Sequence, residues 1–119
     1  MNQFLLQQIR RRHILREAEG YLELGLFERA LECLDRLPDR DRQSFEARLI
    51  RAEILRAMGQ YESALEIYES LIAQRPDDLN ILLAMGWCHK RIGRIDLACA
   101  DLEKAKQISP RNSLVLYNL

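Results

Sequence analysis

A period of 34 residues runs through the sequence and constrains its fold more than any other feature. Gly25, Gly59 and Gly93 are separated by that step. Four further sets of similar residues keep the same spacing: Leu15, Leu49 and Leu83; Ala18, Ala52 and Gly86; Phe27, Tyr61 and Ile95; Ala30, Ala64 and Ala98. Periods of this size are typical of stacked supersecondary units. The sequence therefore predicts a solenoid of repeats rather than one closed core.

Each repeat is predicted to contain two helices with a glycine between them. Residues 79–92 have apolar side chains at helical spacing, and Gly93 suits the left-handed residue just past a helix end. The second helix stops before Pro76 or Pro110, because proline cannot continue it. No stretch alternates steadily between polar and apolar residues, so we expect an all-α fold. The second helix opens with an acidic residue, which the helix dipole favours: Glu28, Glu62 and Asp96.

This pattern resembles the tetratricopeptide repeat, a 34-residue helix-turn-helix unit. We place repeats at 11–44, 45–78 and 79–112. Residues 1–10 are then an N-terminal extension of the first helix, and 113–119 begin a fourth repeat or a partial capping helix. The third repeat fits the family best, at Leu82, Met85, Gly86, Gly93, Ile95, Ala98, Leu102, Ala105 and Pro110. The resemblance implies a right-handed superhelical solenoid of antiparallel helix pairs.

The first repeat departs from the family pattern in its second half. Pro38 comes four residues before the expected proline position, which is Arg42 here. The second helix of this repeat is therefore expected to end a turn early. Residues 38–44, with the sequence PDRDRQS, are then expected to form a polar connector.

The resemblance implies a non-enzymatic module that binds other proteins, such as an adaptor, scaffold or chaperone. In such a solenoid the first helices line a concave groove, which suits a helical or extended segment of a partner. The leucines of this face either contact the partner or pack between repeats, and the sequence leaves both interpretations open. The residues expected on this face are Leu15, Glu19, Leu49, Ile50, Glu53, Arg56, Leu83, Trp87, Lys90, Arg91 and Tyr117.

The family's two-carboxylate clamp, which binds chaperone C-termini, is not preserved in this sequence. That clamp needs lysine, asparagine and arginine at five positions. Here those positions hold Leu15, Glu19, Ile50, Asn80 and Ala84, and none of them matches. We therefore expect no binding of an EEVD-type peptide in that mode.

The charge balance disfavours nucleic acid as the partner. The 119 residues carry 18 Lys and Arg against 18 Asp and Glu, so the net charge is zero. Nucleic-acid binding usually needs a basic excess to neutralise phosphates. An RNA-binding helical repeat protein is the alternative function, but its period is nearer 35, and acids such as Glu19 and Glu53 stand in the predicted groove.

Several features indicate a cytoplasmic protein without a membrane span. No apolar run approaches the roughly 20 residues that cross a bilayer. The N-terminal charges follow the first apolar patch, which is the wrong order for a secretory signal. Cys33, Cys88 and Cys99 are an odd number and lack close spacing, so reduced, small buried thiols are expected.

Two clusters could carry chemistry. Arg10, Arg11, Arg12 and Arg16 with His13 could meet phosphate or an anionic membrane, or could be solvated while Phe4, Leu5, Leu6, Ile9 and Ile14 extend the first helix and shield the end of the solenoid. Cys88 and His89 are adjacent, but neighbours on a helix point about 100° apart, so a structural histidine is favoured. We expect no catalytic residue, metal or cofactor.

The last residues are unusually apolar for a free tail. Residues 113–119, SLVLYNL, match the opening of a fourth repeat and then stop. A complete solenoid ends in a helix with a polar outer face. We therefore expect either that the chain is an excerpt of a longer repeat protein, or that a partner or a second copy covers this end.

Overall fold

A computed structural model describes residues 2–110, which form seven α-helices and no strand. The all-α prediction is confirmed for this part of the chain. The helices are α1 (Gln3–Glu23), α2 (Phe27–Asp35), α3 (Asp39–Arg42), α4 (Phe45–Ala57), α5 (Tyr61–Gln74), α6 (Leu79–Arg91) and α7 (Ile95–Ile108).

The chain divides into two compact units, Met1–Met58 and Gly59–Leu119. The first unit contains α1 to α4, and the second contains α5 to α7. The division falls inside the predicted second repeat, 45–78, so the contacts alone do not mark the repeat boundaries, which stay a prediction. The segment 113–119, with its predicted fourth repeat and self-association, lies outside the described residues.

The three repeated glycines form the turns after the first helices. Gly25, Gly59 and Gly93 have φ angles of 75°, 84° and 83°. Side chains with a Cβ atom rarely adopt this left-handed conformation, whereas glycine does so without penalty. The 34-residue spacing of glycine is thus a requirement of the backbone, as the sequence predicted.

Polar side chains cap the N-termini of α1, α4 and α6. The side-chain oxygens of Asn2, Ser44 and Asp78 each accept a hydrogen bond from the backbone N–H group three residues later in the chain, at 2.8, 3.2 and 3.1 Å. Such bonds satisfy backbone N–H groups that have no partner within the helix. From the sequence, Asp77 and Asp78 after Pro76 are predicted caps for the next helix, and the prediction is confirmed at Asp78. The equivalent prediction at Asn112 and Ser113 lies outside the described residues.

The departure predicted for the first repeat is present, with one difference. Helix α2 has 9 residues, whereas α5 and α7 have 14 each. The connector that follows is not wholly irregular, because α3 makes one short helical turn within it. The carbonyl of Pro38 accepts bonds from the N–H groups of Asp41 and Arg42, and the fixed φ of proline suits a helix start.

In the first unit, α1, α2 and α4 share an apolar core. Its buried residues are Ile14, Leu15, Ala18, Ala30, Cys33, Leu34, Leu37, Ala47, Ile50 and Ile54. Ion pairs at the surface join the same three helices in each combination. They are Arg36–Glu17 at 3.2 Å, Arg11–Glu46 at 3.3 Å and Arg51–Asp35 at 3.1 Å.

In the second unit, a glycine lets two helices approach closely. A Cβ atom added to Gly86 of α6 would lie 3.3 Å from Leu102 Cδ2 of α7. This contact is tighter than ordinary packing, which gives a mechanical reason for a small residue at the repeat position shared by Ala18, Ala52 and Gly86. The largest side chains that are fully buried in this unit are Tyr68, Leu71, Ile81 and Cys88.

None of the helices in the described part of the chain is both long and apolar enough to cross a membrane.

Candidate functional site

The residues predicted for a partner-binding face differ widely in exposure. Glu19, Trp87, Lys90 and Arg91 are exposed, and Tyr117 lies outside the described residues. Leu15 and Ile50 are buried in the core of the first unit. Leu49, Glu53, Arg56 and Leu83 are half-buried. The set is therefore not one uniform surface: part of it packs inside the protein and part of it is available to a partner.

Of the leucines in the predicted groove, two clearly pack within the protein. Leu15 is only 6% exposed and contacts the core of the first unit. Leu83 is packed against the buried residues Leu82 and Ala105 of the second unit. These contacts support the packing interpretation for the two residues. The exposed aromatic and charged residues are thus the better candidates for contact with a partner.

Trp87 is the centre of the most distinctive surface in the second unit. It lies in the next-to-last turn of α6 and is 38% exposed. The Tyr61 ring packs edge-on against it, with 5.5 Å between ring centroids and an interplanar angle of 70°. The guanidinium group of Arg91 also contacts the Trp87 ring, and its central carbon lies 4.7 Å from the ring centroid.

These two contacts hold an exposed indole in a defined orientation. Edge-to-face aromatic pairs and cation–π contacts each contribute about 0.5–1.5 kcal/mol. When a partner packs on Trp87, the indole therefore loses less side-chain entropy than a freely rotating ring would. We call Tyr61, Trp87, Lys90 and Arg91 the Trp87 surface. A shallow pocket on the Trp87 surface is lined by Trp87, Lys90 and Arg91.

The Trp87 surface is also basic. His89, Lys90 and Arg91 occupy the last turn of α6, where cations are favoured by the helix dipole. Lys90 and Arg91 are exposed, whereas His89 is buried. The surface thus combines the exposed Trp87 ring, backed by Tyr61, with two accessible positive charges, which suits an apolar residue flanked by acidic ones.

In the first unit, the predicted face is acidic rather than aromatic. Burial raises the pKa of Glu53 above its usual value, the nearby Arg56 lowers it, and repulsion from Glu19 raises it further. The ionised Glu53 carboxylate is therefore incompletely compensated in this protein. A basic residue of a partner would supply the missing charge.

His89 has a structural role, as the sequence predicted. It is 6% exposed, and its Nδ1 lies 2.6 Å from Oδ2 of Asp101 in α7, which is 7% exposed. The pair links α6 to α7 through a buried hydrogen bond. Cys88 is buried beside it but on another side of the helix, and residues 2–110 contain no cluster of His, Cys, Asp and Glu able to hold a metal.

The prediction of three buried thiols is wrong at one position. Cys33 and Cys88 are buried, but Cys99 is exposed. Cys99 follows Ala98 in α7. Of these two neighbours, Ala98 is buried in the core and Cys99 faces away from it. Burial and the Glu17 carboxylate raise the pKa of the Cys33 thiol, so this thiol is held in its unreactive protonated form.

The expected shielding role of the N-terminal apolar residues is not observed. Phe4, Leu5, Leu6 and Ile9 are exposed by 65%, 48%, 48% and 53%, and only Ile14 of that group is buried. Helix α1 is long enough that its first turns extend past the residues that pack on α2 and α4. Leu5, Leu6 and Ile9 therefore cover no core within the first unit, whereas the exposed Phe4 lines a groove with Ile14 and Leu37.

Two partners of key residues were not anticipated. Tyr61 stands out in the sequence only as a member of the repeated set Phe27, Tyr61 and Ile95, yet it contacts Trp87. Asp101 occupies the repeat position that holds Cys33 and Ile67 in the earlier repeats. A charged residue at an otherwise apolar repeat position, 12 residues after a histidine in a core position, was the available signal for the buried pair.

Comparisons with known proteins agree with this architecture. Two family models described as tetratricopeptide repeat match residues 15–78 and 55–115. No curated protein sequence matches the chain. Among solved structures, the type III secretion translocator chaperone SycD of Yersinia enterocolitica aligns with a TM-score of 0.81 and 19% identity, over 92% of this chain and 88% of SycD.

Two further structures are similar. MamA of Desulfovibrio magneticus RS-1 aligns with a TM-score of 0.79 and 19% identity, and the match covers 88% of this chain and 59% of MamA. PcrH, solved in complex with the chaperone-binding region of PopB, aligns with a TM-score of 0.76 and 16% identity, over 99% of this chain and 94% of PcrH. At these identities the similarity concerns the fold.

Proposed function

Because this chain belongs to the tetratricopeptide repeat family, we propose that it binds a segment of a partner protein through the Trp87 surface, as a non-enzymatic adaptor, scaffold or chaperone. The fold is typical of protein-interaction modules, and chaperones are among its structural neighbours. We further propose that the protein acts in the cytoplasm.

The observation that carries the proposal is the packing of Trp87. An indole that is 38% exposed and held between Tyr61 and Arg91 offers a large apolar area at low entropic cost. Tryptophan, tyrosine and arginine are the residues most enriched at binding hot spots. All three residue types meet on this one surface.

The charges define the partner segment. Beside Trp87, the exposed Lys90 and Arg91 favour an apolar or aromatic anchor with acidic neighbours. A segment with an apolar or aromatic anchor and acidic neighbours is therefore the expected ligand of the Trp87 surface, in either a helical or an extended form. PcrH, which has the same fold, was solved with a segment of another protein bound.

Affinity capture followed by mass spectrometry tests the proposal. The wild-type chain and a Trp87→Ala variant are used as baits, and the captured proteins are quantified against each other. We expect a partner that is lost from the variant by about tenfold or more, since hot-spot truncations cost about 2 kcal/mol or more.

A matched control separates this effect from general loss of surface area. Leu97 is 37% exposed in the same unit, close to the value for Trp87, and Leu97→Ala should capture the partner normally. Circular dichroism must show that both variants stay folded. Equal capture by wild type and Trp87→Ala would show that the Trp87 surface is not the binding site.

A further inference from the structure

The first turns of α1 carry apolar side chains that face away from the core of the first unit. At about 100° per residue, Leu5 and Ile9 point to the side opposite Ile14 and Ala18, and Leu6 lies beside them. Ile14 and Ala18 are buried, whereas the other three are about half exposed. The apolar residues of α1 thus serve two different faces, one inward and one outward. We call Leu5, Leu6 and Ile9 the outer face of α1.

Basic residues border this outer face on both sides. In helical projection Arg12 lies on one edge and Arg10 on the other, and His13 and Arg16 continue the same side of the helix. All four are exposed. Arg11, by contrast, points towards α4 and pairs with Glu46 at 3.3 Å. Glu17 is the first acidic residue of the chain, eight positions beyond Ile9, or about 12 Å along the helix.

We infer that the outer face of α1 binds peripherally to an anionic lipid bilayer. A helix that lies in a membrane interface buries an apolar face among the acyl chains and keeps arginines at the headgroups. Leu5, Leu6 and Ile9 supply the apolar face, and Arg10 and Arg12 flank it where they can reach phosphates. Anionic lipids supply both the apolar phase and the negative charge that this arrangement lacks within the protein.

The charges favour a bilayer over the other occupants of such a face. A second copy of the chain would bring the same arginines together without an acidic residue on either face, and like charges disfavour such contacts. Nucleic acid would satisfy the arginines but would leave Leu5 and Ile9 in water. The site is separate from the Trp87 surface, which lies in the other compact unit.

Vesicle sedimentation tests this inference with the full chain. Vesicles of phosphatidylcholine mixed with phosphatidylglycerol should bind the protein, and vesicles of phosphatidylcholine alone should not. Ile9→Ser should lower the partition coefficient about tenfold, because it removes a buried aliphatic group. Arg12→Gln should lower it about fivefold, which corresponds to about 1 kcal/mol per arginine.

Matched controls exist for both substitutions. Ile95 of α7 is 54% exposed, close to the 53% of Ile9, so Ile95→Ser should leave vesicle binding unchanged. Arg29 of α2 is exposed, and Arg29→Gln should also have no effect. Trp87→Ala should bind vesicles normally, which separates this inference from the proposed function.

Several results would overturn the inference. These are no binding to the anionic vesicles, equal binding to neutral ones, or an equal loss of binding in Ile95→Ser. Light scattering gives a further check: if Ile9→Ser converts a dimer to a monomer while wild type ignores vesicles, the outer face is an interface between copies. Unchanged melting temperatures would establish that each variant is folded.

Discussion

The two compact units tie their helices together in different ways. In the first unit, surface ion pairs such as Arg36–Glu17, Arg11–Glu46 and Arg51–Asp35 join α1, α2 and α4 around an apolar core. In the second unit, α6 and α7 are joined by one buried pair, His89 with Asp101, at 2.6 Å. The same repeat positions hold Tyr21 and Cys33 in the first unit.

The difference matters because water screens one kind of contact and not the other. Exposed ion pairs contribute about 0–1 kcal/mol each. A buried polar pair adds little net stability while it is intact, but it is costly to break, because the remaining group has no water to bind. Loss of an exposed charge in the first unit should therefore be tolerated, whereas loss of the buried Asp101 in the second should not.

The largest effect is expected for Asp101→Ala. The change leaves the His89 ring nitrogen buried without its partner and should lower the free energy of unfolding by about 3 kcal/mol. Chemical denaturation monitored by circular dichroism measures it. The matched control is Asp35→Ala, which removes the exposed partner of Arg51 and should cost less than about 1 kcal/mol. Similar costs for the two variants would refute the contrast between the units.

Glycine substitutions test whether each unit uses a left-handed glycine in a turn between helices, after α1 in the first unit and after α6 in the second. Gly25→Ala and Gly93→Ala should each destabilise by about 1–2 kcal/mol, because alanine is strained at positive φ. No neighbouring atom lies within 4 Å of an added Cβ at either site, so the cost would come from the backbone alone. Gly20→Ala, inside α1 and equally unobstructed, should instead stabilise by about 0.5–1 kcal/mol. A stabilising Gly93→Ala would contradict the assigned turn.

Much of the fold follows from spacing, because the period reports backbone requirements. The left-handed glycines, the caps and the prolines act locally, and so residues such as Gly93 and Asp78 predict helix ends directly. The functional site is harder to predict from the sequence, because the exposure of each side chain depends on packing between helices. Leu15 and Trp87 occupy similar predicted faces, yet only Trp87 is exposed. Helical spacing places Leu5 and Ile9 opposite Ile14 and Ala18, but which side of α1 meets the core is decided by its packing on α2 and α4.

A smaller effect is expected for the surface ion pair between Glu17 and Arg36. A double-mutant cycle with Glu17→Ala and Arg36→Ala should give a coupling energy of about 0.5 kcal/mol, and added salt should reduce it. A coupling as large as the cost of Asp101→Ala would mean that the pair is shielded from water, against the exposure of both side chains.

The smallest effect is expected for Glu53→Gln in the first unit. The raised pKa of Glu53 means that the folded state holds a proton more readily than the unfolded state. Its contribution is therefore favourable at acid pH and is lost as the pH rises through the folded-state pKa. Glu53→Gln should slightly raise the melting temperature at neutral pH, with the difference vanishing in acid. A lower melting temperature at neutral pH would show that Glu53 is well compensated.

The central claim is that a partner segment packs on Trp87, and tryptophan fluorescence tests it most directly. Trp87 is the single tryptophan of the sequence, so its emission reports this surface alone. Titration with the segment recovered by affinity capture should shift the emission to shorter wavelength, as the indole leaves water, with a saturable curve. We expect the same midpoint when binding is followed by calorimetry. Saturable binding by calorimetry with no change in Trp87 emission would contradict it.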